Sequence, residues 1–429
     1  MLLLYLMDSE KRYVLVSLGN DISELAALAE ALDYTLDEVF IQKRNSPSST
    51  YFVGKGKVEE IKDYIHENKI NTVIINSSLK PSQQYNLENM LKATVFDRIG
   101  LILNIFADRA HSEEARLQVE LAKLQYEIPL LRDWIHKARY SEKPGFMAGG
   151  EYEVAQYYEI IRKRMKKIKL KLKTIEKERE LRRKQRRSKG YFQVGIMGYT
   201  NAGKSTIFNL ISGESVSVED KLFTTLSTIT RRIPNLKKPI ILTDTVGLIN
   251  NLPHWIIGAF HSTLEEMFLS DLILLIVDVS GPVMDINSKL KTCFDVLLPD
   301  INPSNILLVL NKIDKIQDKT SVEEIINQID LDYPLKDIIS ISAKDERYKE
   351  DLIYNIQKAF TYPNRIEIKV PNVQGTQSFI NWLHKNCEIL NIEYKEEIEI
   401  DIKCKEKDLS YINKTTKSFH GQIIIQTIE

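Results

Sequence analysis

The sequence predicts an α/β protein in four parts: a small N-terminal α/β domain, an antiparallel helical hairpin, a P-loop domain with a mainly parallel sheet, and a short α+β C-terminal domain. Two observations predict it. Short β-branched runs alternate with helical stretches over the first hundred residues and again after Tyr191, and between these regions lie two long apolar stripes of heptad spacing. A chain of 429 residues has room for two or three cores at roughly 150 residues each. Its 43% hydrophobic and 28% charged residues belong to an ordinary globular protein and exclude disordered and fibrous classes. Cys293, Cys387 and Cys404 are odd in number and form no CxxC pair, which argues against a disulfide framework and a zinc site and for a reducing cytoplasm.

Taken in order, the chain opens on Met1-Leu-Leu-Leu-Tyr-Leu-Met7, apolar but cut short by Asp8, Glu10 and Lys11. It falls below the length of a signal-peptide core or a membrane span and reads as a strand; no span is expected. Strands follow at Tyr13–Ser17, Glu38–Ile41, Thr72–Ile75 and Ala93–Phe96, with helices at Glu24–Leu32, Lys57–His66 and Ser82–Leu91. The alternation suggests a mainly parallel sheet in a domain placed at residues 1–110. Gly54-Lys-Gly-Lys57 opens one helix; an anion site on exposed N–H groups and a plain helix start with solvated lysines are both open readings.

From Leu117 the apolar positions Leu121, Leu124, Ile128, Leu131 and Ile135 step by four and three, and Ser112 with Glu113 and Glu114 supplies a helix start. Pro129 should kink or end that helix. A second stripe, Val154, Tyr158, Ile161, Met165, Ile168, Leu172 and Ile175, lies on a basic segment. Arg162 to Lys189 holds 16 Lys or Arg against 3 Glu, so the net charge of zero conceals a surplus of 13 there. Tyr140 to Gly150, with Pro144 and Gly145, joins the stripes as a flexible tip, giving an antiparallel hairpin over 111–189.

The next part, 190–361, begins with strand Tyr191–Met197, which runs into Gly198-Tyr199-Thr200-Asn201-Ala202-Gly203-Lys204-Ser205 and a helix from Thr206 to Ile211. This is the setting a P-loop needs. Glycines let the backbone wrap a phosphate, N–H groups and the helix N-terminus hold its charge, Lys204 bridges the outer phosphates, and Ser205 ligates Mg²⁺. A P-loop alone does not choose a base. Strand Ile306–Leu310 delivers Asn311, Lys312 and Asp314 to its carboxyl end, the edge where doubly wound sheets bind ligands. The Asp314 carboxylate can accept two hydrogen bonds, from N1–H and the exocyclic amine of guanine, paired donors that adenine lacks. Lys312 can lie along the base, Asn311 can brace the loop, and Ser342-Ala343-Lys344 after Ile338 completes the pocket. A G domain that binds GTP and GDP and hydrolyses GTP is the expectation.

Two switch loops follow from Phe223-Thr224-Thr225 and Asp244-Thr245-Val246-Gly247. Thr225, or else Thr224, would offer a hydroxyl to Mg²⁺; Asp244 suits a water-mediated contact with that ion; the Gly247 N–H can sense the γ-phosphate. Lys204, Thr225 and Gly247 are the expected catalytic groups. Leu248 stands where many GTPases place a Gln that orients water, so turnover should be slow without a partner. His254 and His261 read as structural or partner-facing, with catalysis the lesser reading. Asn201 either helps hold K⁺ beside the phosphates or only shapes the turn. Tyr362-Pro-Asn-Arg365 marks the last boundary, before an α+β tail at 362–429.

With these residues in view, the chain resembles the HflX family of ribosome-associated GTPases over about residues 12 to 361. The resemblance rests on Tyr51-Phe-Val-Gly-Lys-Gly-Lys-Val-Glu59, Asp97-Arg-Ile-Gly-Leu-Ile-Leu-Asn-Ile105, Leu117-Gln-Val-Glu-Leu121, Gly198 to Gly203, Asp244 to Ile249 and Leu252-Pro-His254. It implies a cytoplasmic protein that docks on the large ribosomal subunit and its rRNA and splits or rescues ribosomes according to its nucleotide state. The alternative is a GTP-gated subunit-binding or assembly module in which hydrolysis only resets the switch. A monomer is expected. The basic segment is an independent reason to expect RNA, because Lys and Arg neutralise phosphate without reading sequence. Its Arg162, Lys163, Arg164, Lys166, Lys167, Arg182, Arg183, Arg186 and Arg187 are the expected contacts. Bacterial members usually carry a Gly-Pro-Gly-Glu-Thr-like tip where this chain has Phe146-Met-Ala-Gly-Gly-Glu151, so the contact made by the tip stays open. Leu248 replaces the Phe common in the family, also apolar.

Overall fold

A computed structural model describes residues 11–428 except 45, 142–148, 189–190, 214–228, 235, 237–238, 245–246, 250–254, 257–264, 266, 317–319, 332, 361–363 and 405. For 134–141, 149–155, 187–188, 320–321, 385, 406–407 and 425–428 it describes the backbone alone. The strand expected at Met1–Met7 and the hairpin tip lie outside the described residues.

Strands β1 (Arg12–Ser17), β2 (Thr35–Ile41), β3 (Thr72–Ile75) and β4 (Thr94–Asp97) form one parallel sheet in the order β2-β1-β3-β4. Helices α1 (Ser23–Glu30), α2 (Lys55–Glu67) and α3 (Pro81–Leu91) fall between them, as the alternation predicts. The period of two along β1 sorts its side chains onto both faces. Tyr13 and Leu15 join a core with Leu25 and Leu28 of α1, while Val14 and Val16 join one with Ile61 of α2 and Leu87 of α3. A further helix, α4 (Arg98–Arg109), was not foreseen. Ile99, Leu101, Ile102, Leu103, Ile105 and Phe106 are all buried, and a short apolar run of this kind reads equally as a strand or as a buried helix.

The hairpin consists of α5 (Glu113–Ser141) and α6 (Gly149–Ser188). Ser112 caps α5 by accepting the Ala115 N–H at 3.1 Å. Contacts run antiparallel: Lys171 to Glu113, Arg164 to Glu120 and Arg132 to Tyr158. Leu117, Leu121 and Ile168 are buried in the seam, flanked by Leu124, Met165, Leu172 and Ile175. Pro129 does not end α5, contrary to one of the two expectations; it sits inside the helix. The missing N–H removes a single bond from the ladder, and the seam on either side holds the helix together.

The next sheet has six strands, β5 (Phe192–Gly198), β6 (Ile229–Arg232), β7 (Ile240–Asp244), β8 (Leu272–Asp278), β9 (Ile306–Asn311) and β10 (Asp337–Ser340). Their order is β10-β9-β8-β5-β7-β6, parallel throughout except for β6, which pairs antiparallel on β7 at the edge. Its helices include α7 (Lys204–Ser212), α8 (Val283–Leu297), α9 (Thr320–Gln328) and α10 (Tyr348–Ala359). Covered on both faces, β5, β7 and β9 are buried at every residue.

The tail runs β11 (Asn364–Pro371), α11 (Thr376–Asn386), β12 (Glu388–Tyr394), β13 (Glu397–Cys404), α12 (Glu406–Ser418) and β14 (Gln422–Ile428). This βαββαβ order builds an antiparallel sheet, β12-β13-β11-β14, the ferredoxin-like arrangement. Among the described residues no helix is long and apolar enough to cross a membrane.

Candidate functional site

The site lies at the carboxyl ends of β5, β7 and β9. Gly198 ends β5 at φ +156°, and a Cβ there would meet the Ile276 carbonyl oxygen at 2.2 Å. Gly203 turns the loop into α7 at φ +95°, where a Cβ would come within 2.2 Å of Asn311 Nδ2. The loop must therefore be glycine at both ends, as a close backbone wrap requires. Asn201 sits between them in the left-handed region at φ +58°, which Asn tolerates better than most residues.

Lys204 is buried and its Nζ donates to the Tyr199 carbonyl oxygen at 2.8 Å. Burial pulls its pKa down to about 8, against the upward pull of Asp244 and Cys293. An ammonium so poorly solvated gains more from an added polyphosphate than one in water would. Thr206 follows Ser205 in the first turn of α7, and Asp244 is buried at the end of β7.

The base-side residues converge. Asn311 Nδ2 donates to the Ala202 carbonyl at 2.8 Å, and Asn311 Oδ1 accepts the Ala343 N–H at 3.0 Å. One buried amide thus ties the phosphate loop to the loop after β10. Ser342 Oγ donates to Asp314 Oδ1 at 2.6 Å, which aims the carboxylate. Lys312 pairs with Asp278 at 2.8 Å. Burial raises the Asp278 pKa, yet bonds from Lys312 and Ser280 outweigh it and hold the carboxyl below its ordinary value. Lys344 is exposed beside them.

Gly247 crosses the phosphate loop so closely that a Cβ would meet Lys204 Nζ at 2.7 Å and the Thr200 Cα at 3.2 Å. The next residue locks on: Leu248 N–H donates to the Gly198 carbonyl at 3.1 Å, and Thr200 N–H donates to the Leu248 carbonyl at 2.8 Å. The Leu248 side chain is only 5% exposed and packs with Met197, Met267 and Leu275. Phe223, Thr224, Thr225, Thr245, Val246, His254 and His261 lie outside the described residues.

Sequence reasoning missed a link that spans 175 positions. The Tyr199 hydroxyl donates to a Glu24 carboxylate oxygen on α1, and Glu24 also pairs with Arg98 of α4 at 2.6 Å. Lys289 of α8 lies over the Tyr199 ring at 5.6 Å. Tyr199, with Ile249 and Ile256 beyond Gly247, belongs to the core that holds Leu25, Leu28 and Ile102. Nothing in the local pattern around Glu24 announces this.

Of the expected RNA contacts, Arg162, Lys163, Lys166 and Lys167 are exposed on α6. Arg164 instead binds Glu120 through two nitrogens at 2.5 and 2.9 Å. Arg183 turns inward towards Glu265 at 3.8 Å, beside Arg179, which bonds Glu114 and Glu265. The Arg187 side chain lies outside the described residues. At Gly54-Lys-Gly-Lys57 the lysines pair with Glu59 and Glu60 of their own helix, at 3.9 and 2.6 Å, as in a plain helix start.

The chain is similar to known proteins over most of its length. The family described as "GTP-binding GTPase N-terminal" matches residues 19–107, "GTP-binding GTPase Middle Region" matches 109–186, and "50S ribosome-binding GTPase" matches 193–312. GTPase HflX of Thermococcus kodakarensis is 39% identical over 389 residues, covering 88% of this chain and 87% of its own. GTPase HflX of Methanocaldococcus jannaschii is 39% identical over 406 residues, covering 93% and 96%. The protein of that name from Escherichia coli is 36% identical over 303 residues, 70% of each. Among solved structures, that of SsGBP in complex with GDP is 29% identical with a TM-score of 0.50, covering 81% of this chain and 98% of its own.

Proposed function

The chain belongs to the HflX family of GTPases, and from that premise we propose that GTP binding and hydrolysis gate its attachment to the large ribosomal subunit. The observation that carries this reading is the coupling of a nucleotide loop to a basic helix: α6 presents Lys163, Lys166 and Lys167 to solvent, while its Arg179 and Arg183 grip Glu265 in the segment after Gly247. Exposed lysines neutralise rRNA phosphate, and the inward arginines carry the result to the switch. The family described as ribosome-binding, matched at 193–312, supports the same partner. In this reading residues 1–110, 111–189, 190–361 and 362–429 are four working parts, and the protein is cytoplasmic.

Lys204, the loop N–H groups and Gly247 hold the outer phosphates, and Asn311, Asp314, Ala343 and Lys344 read guanine. The oxygen donors of Ser205 and Thr225, with Asp244 behind water, suit a hard cation such as Mg²⁺. Bound Mg²⁺ would neutralise charge on the transferring phosphoryl group. With Leu248 packed in an apolar core, the group that orients water must come from elsewhere, and the ribosome is the proposed activator. Asn201 is kept as a donor for K⁺; equal turnover in KCl and NaCl would remove that role.

The test is GTP turnover with and without purified large subunits. Removing the whole hairpin would strip Val119 and Ala122 from the N-terminal core, so the variant is Lys163→Glu, Lys166→Glu, Lys167→Glu. Stimulation of the native protein that the variant loses supports the proposal; no stimulation of either refutes it. Splitting of whole ribosomes by the GTP form, against binding of isolated subunits alone, separates the splitting role from the assembly alternative.

A further inference from the structure

A cleft of about 400 Å³ opens where the end of α6 meets the edge strand β6. Arg182 and Arg186 line it from the helix, Thr230, Arg231 and Arg232 from the strand, and Tyr191 closes the junction. The Tyr191 N–H donates to the Arg186 carbonyl at 3.2 Å, fixing the helix end against the start of β5. The antiparallel register sets Thr230 opposite Thr243 and Arg232 opposite Ile241, so Thr230 and Arg232 share the face whose floor is Ile241. Arginines from the helix and from the strand line the cleft together and no lining residue is acidic, while Arg182 also pairs with Glu178 of its own helix at 3.4 Å. The neighbouring cleft on α6 differs: Lys173, Lys177, Arg179 and Arg183 are there balanced by Glu176, Glu180 and Glu265.

We propose that the arginine cleft between α6 and β6 is a binding site for RNA backbone phosphates. The inference deepens the ribosome reading and rests on it. Guanidinium forks suit phosphate oxygens in pairs. The volume is that of a small-ligand cleft, and a half-buried tyrosine offers a ring on which a base can stack. Two of the arginines end the basic helix, so a strand lying along α6 runs into the cleft; this favours a polyanion over a free phosphate compound. β6 begins four residues after Thr225. RNA held in the cleft therefore grips the strand that leaves the first switch.

The experiment titrates full-length protein into a labelled single-stranded RNA of mixed sequence over a range of KCl. Arg231→Ala with Arg232→Ala should weaken binding about tenfold at low salt and flatten the slope of log affinity against log salt by about 1.5. The Arg231→Lys, Arg232→Lys variant should restore the slope, and Lys414→Ala with Lys417→Ala should match the native protein. Unchanged affinity and slope in the alanine variant overturns the proposal. So does an alanine variant that binds RNA normally but loses thermal stabilisation by inorganic pyrophosphate, since the cleft would then hold a free phosphate ligand. RNA binding that depends on the arginines, with no stimulation by large subunits, would keep the cleft and refute only the ribosome reading.

Discussion

Asn311 ties two of the loops around the site together. Its amide satisfies a carbonyl of the phosphate loop and an N–H of the base loop, at 2.8 and 3.0 Å, and it is 1% exposed. Asn311→Ala leaves both groups buried without partners, at about 1–3 kcal/mol each. GDP affinity should fall between about tenfold and a hundredfold by fluorescent-nucleotide titration; a loss under about twofold would show the staple dispensable. Leu248 poses the opposite case. Leu248→Gln should not speed turnover, because the side chain points into the Met197, Met267 and Leu275 core and not towards a water. It should lower stability by roughly 1–3 kcal/mol, the cost of burying an unpartnered amide. Faster hydrolysis in that variant would show that the side chain swings out during the reaction. The motif residues stood out in the sequence as candidates because phosphate and guanine chemistry demands those types at those spacings. The burial of Leu248 was not, since one apolar residue beside a motif carries no direction.

At the scale of elements, the hairpin seam was legible because one covered face writes a heptad period on the sequence, and the parallel sheets because their strands read as short apolar runs between helical stretches. Helix α4 was hidden because a short apolar run does not by itself tell a strand from a buried helix. It is anchored at Asp97, buried at its N-terminus, which accepts bonds from the Gly100 and Leu79 N–H groups and the Tyr126 hydroxyl at 2.7, 3.0 and 2.8 Å. Burial raises its pKa, and these bonds oppose the rise. Helix α5 carries the clearest conflict between local preference and tertiary packing. Pro129 is exposed yet interior to the helix, so it costs helix stability without contributing to the seam. Pro129→Ala should raise stability by roughly 1–3 kcal/mol, restoring the lost N–H and relieving the ring. A lowered unfolding temperature would mean that the proline is itself needed for packing α5 on α6. The ferredoxin-like tail was legible only as mixed strands and helices, because pairing order between strands far apart in sequence leaves no local trace.

Across the whole molecule, the N-terminal sheet and the candidate nucleotide site are joined by a small contact. Tyr199 offers its carbonyl to Lys204 and its hydroxyl to Glu24, so a shift of α1 reaches the Lys204 ammonium through a single residue. Tyr199, Ile249 and Ile256 share the core of α1 and α4, so rearrangement of the segment after Gly247 must repack that core or carry it along. Packed cores switch between discrete arrangements and do not deform smoothly. Nucleotide state and the position of the N-terminal sheet should therefore be coupled. A double-mutant cycle of Tyr199→Phe and Glu24→Gln, read as GTP affinity, measures the coupling. Each single variant should weaken binding about three- to tenfold, and the double variant should be little worse than Tyr199→Phe alone, giving an interaction of about 1 kcal/mol. Unfolding curves taken alongside separate this from the loss of the Glu24 to Arg98 ion pair, which acts on stability and is absent from the Tyr199 arm. Strictly additive losses in GTP affinity would show that the hydroxyl and carboxylate do not transmit, and that the shared apolar core alone joins the two halves.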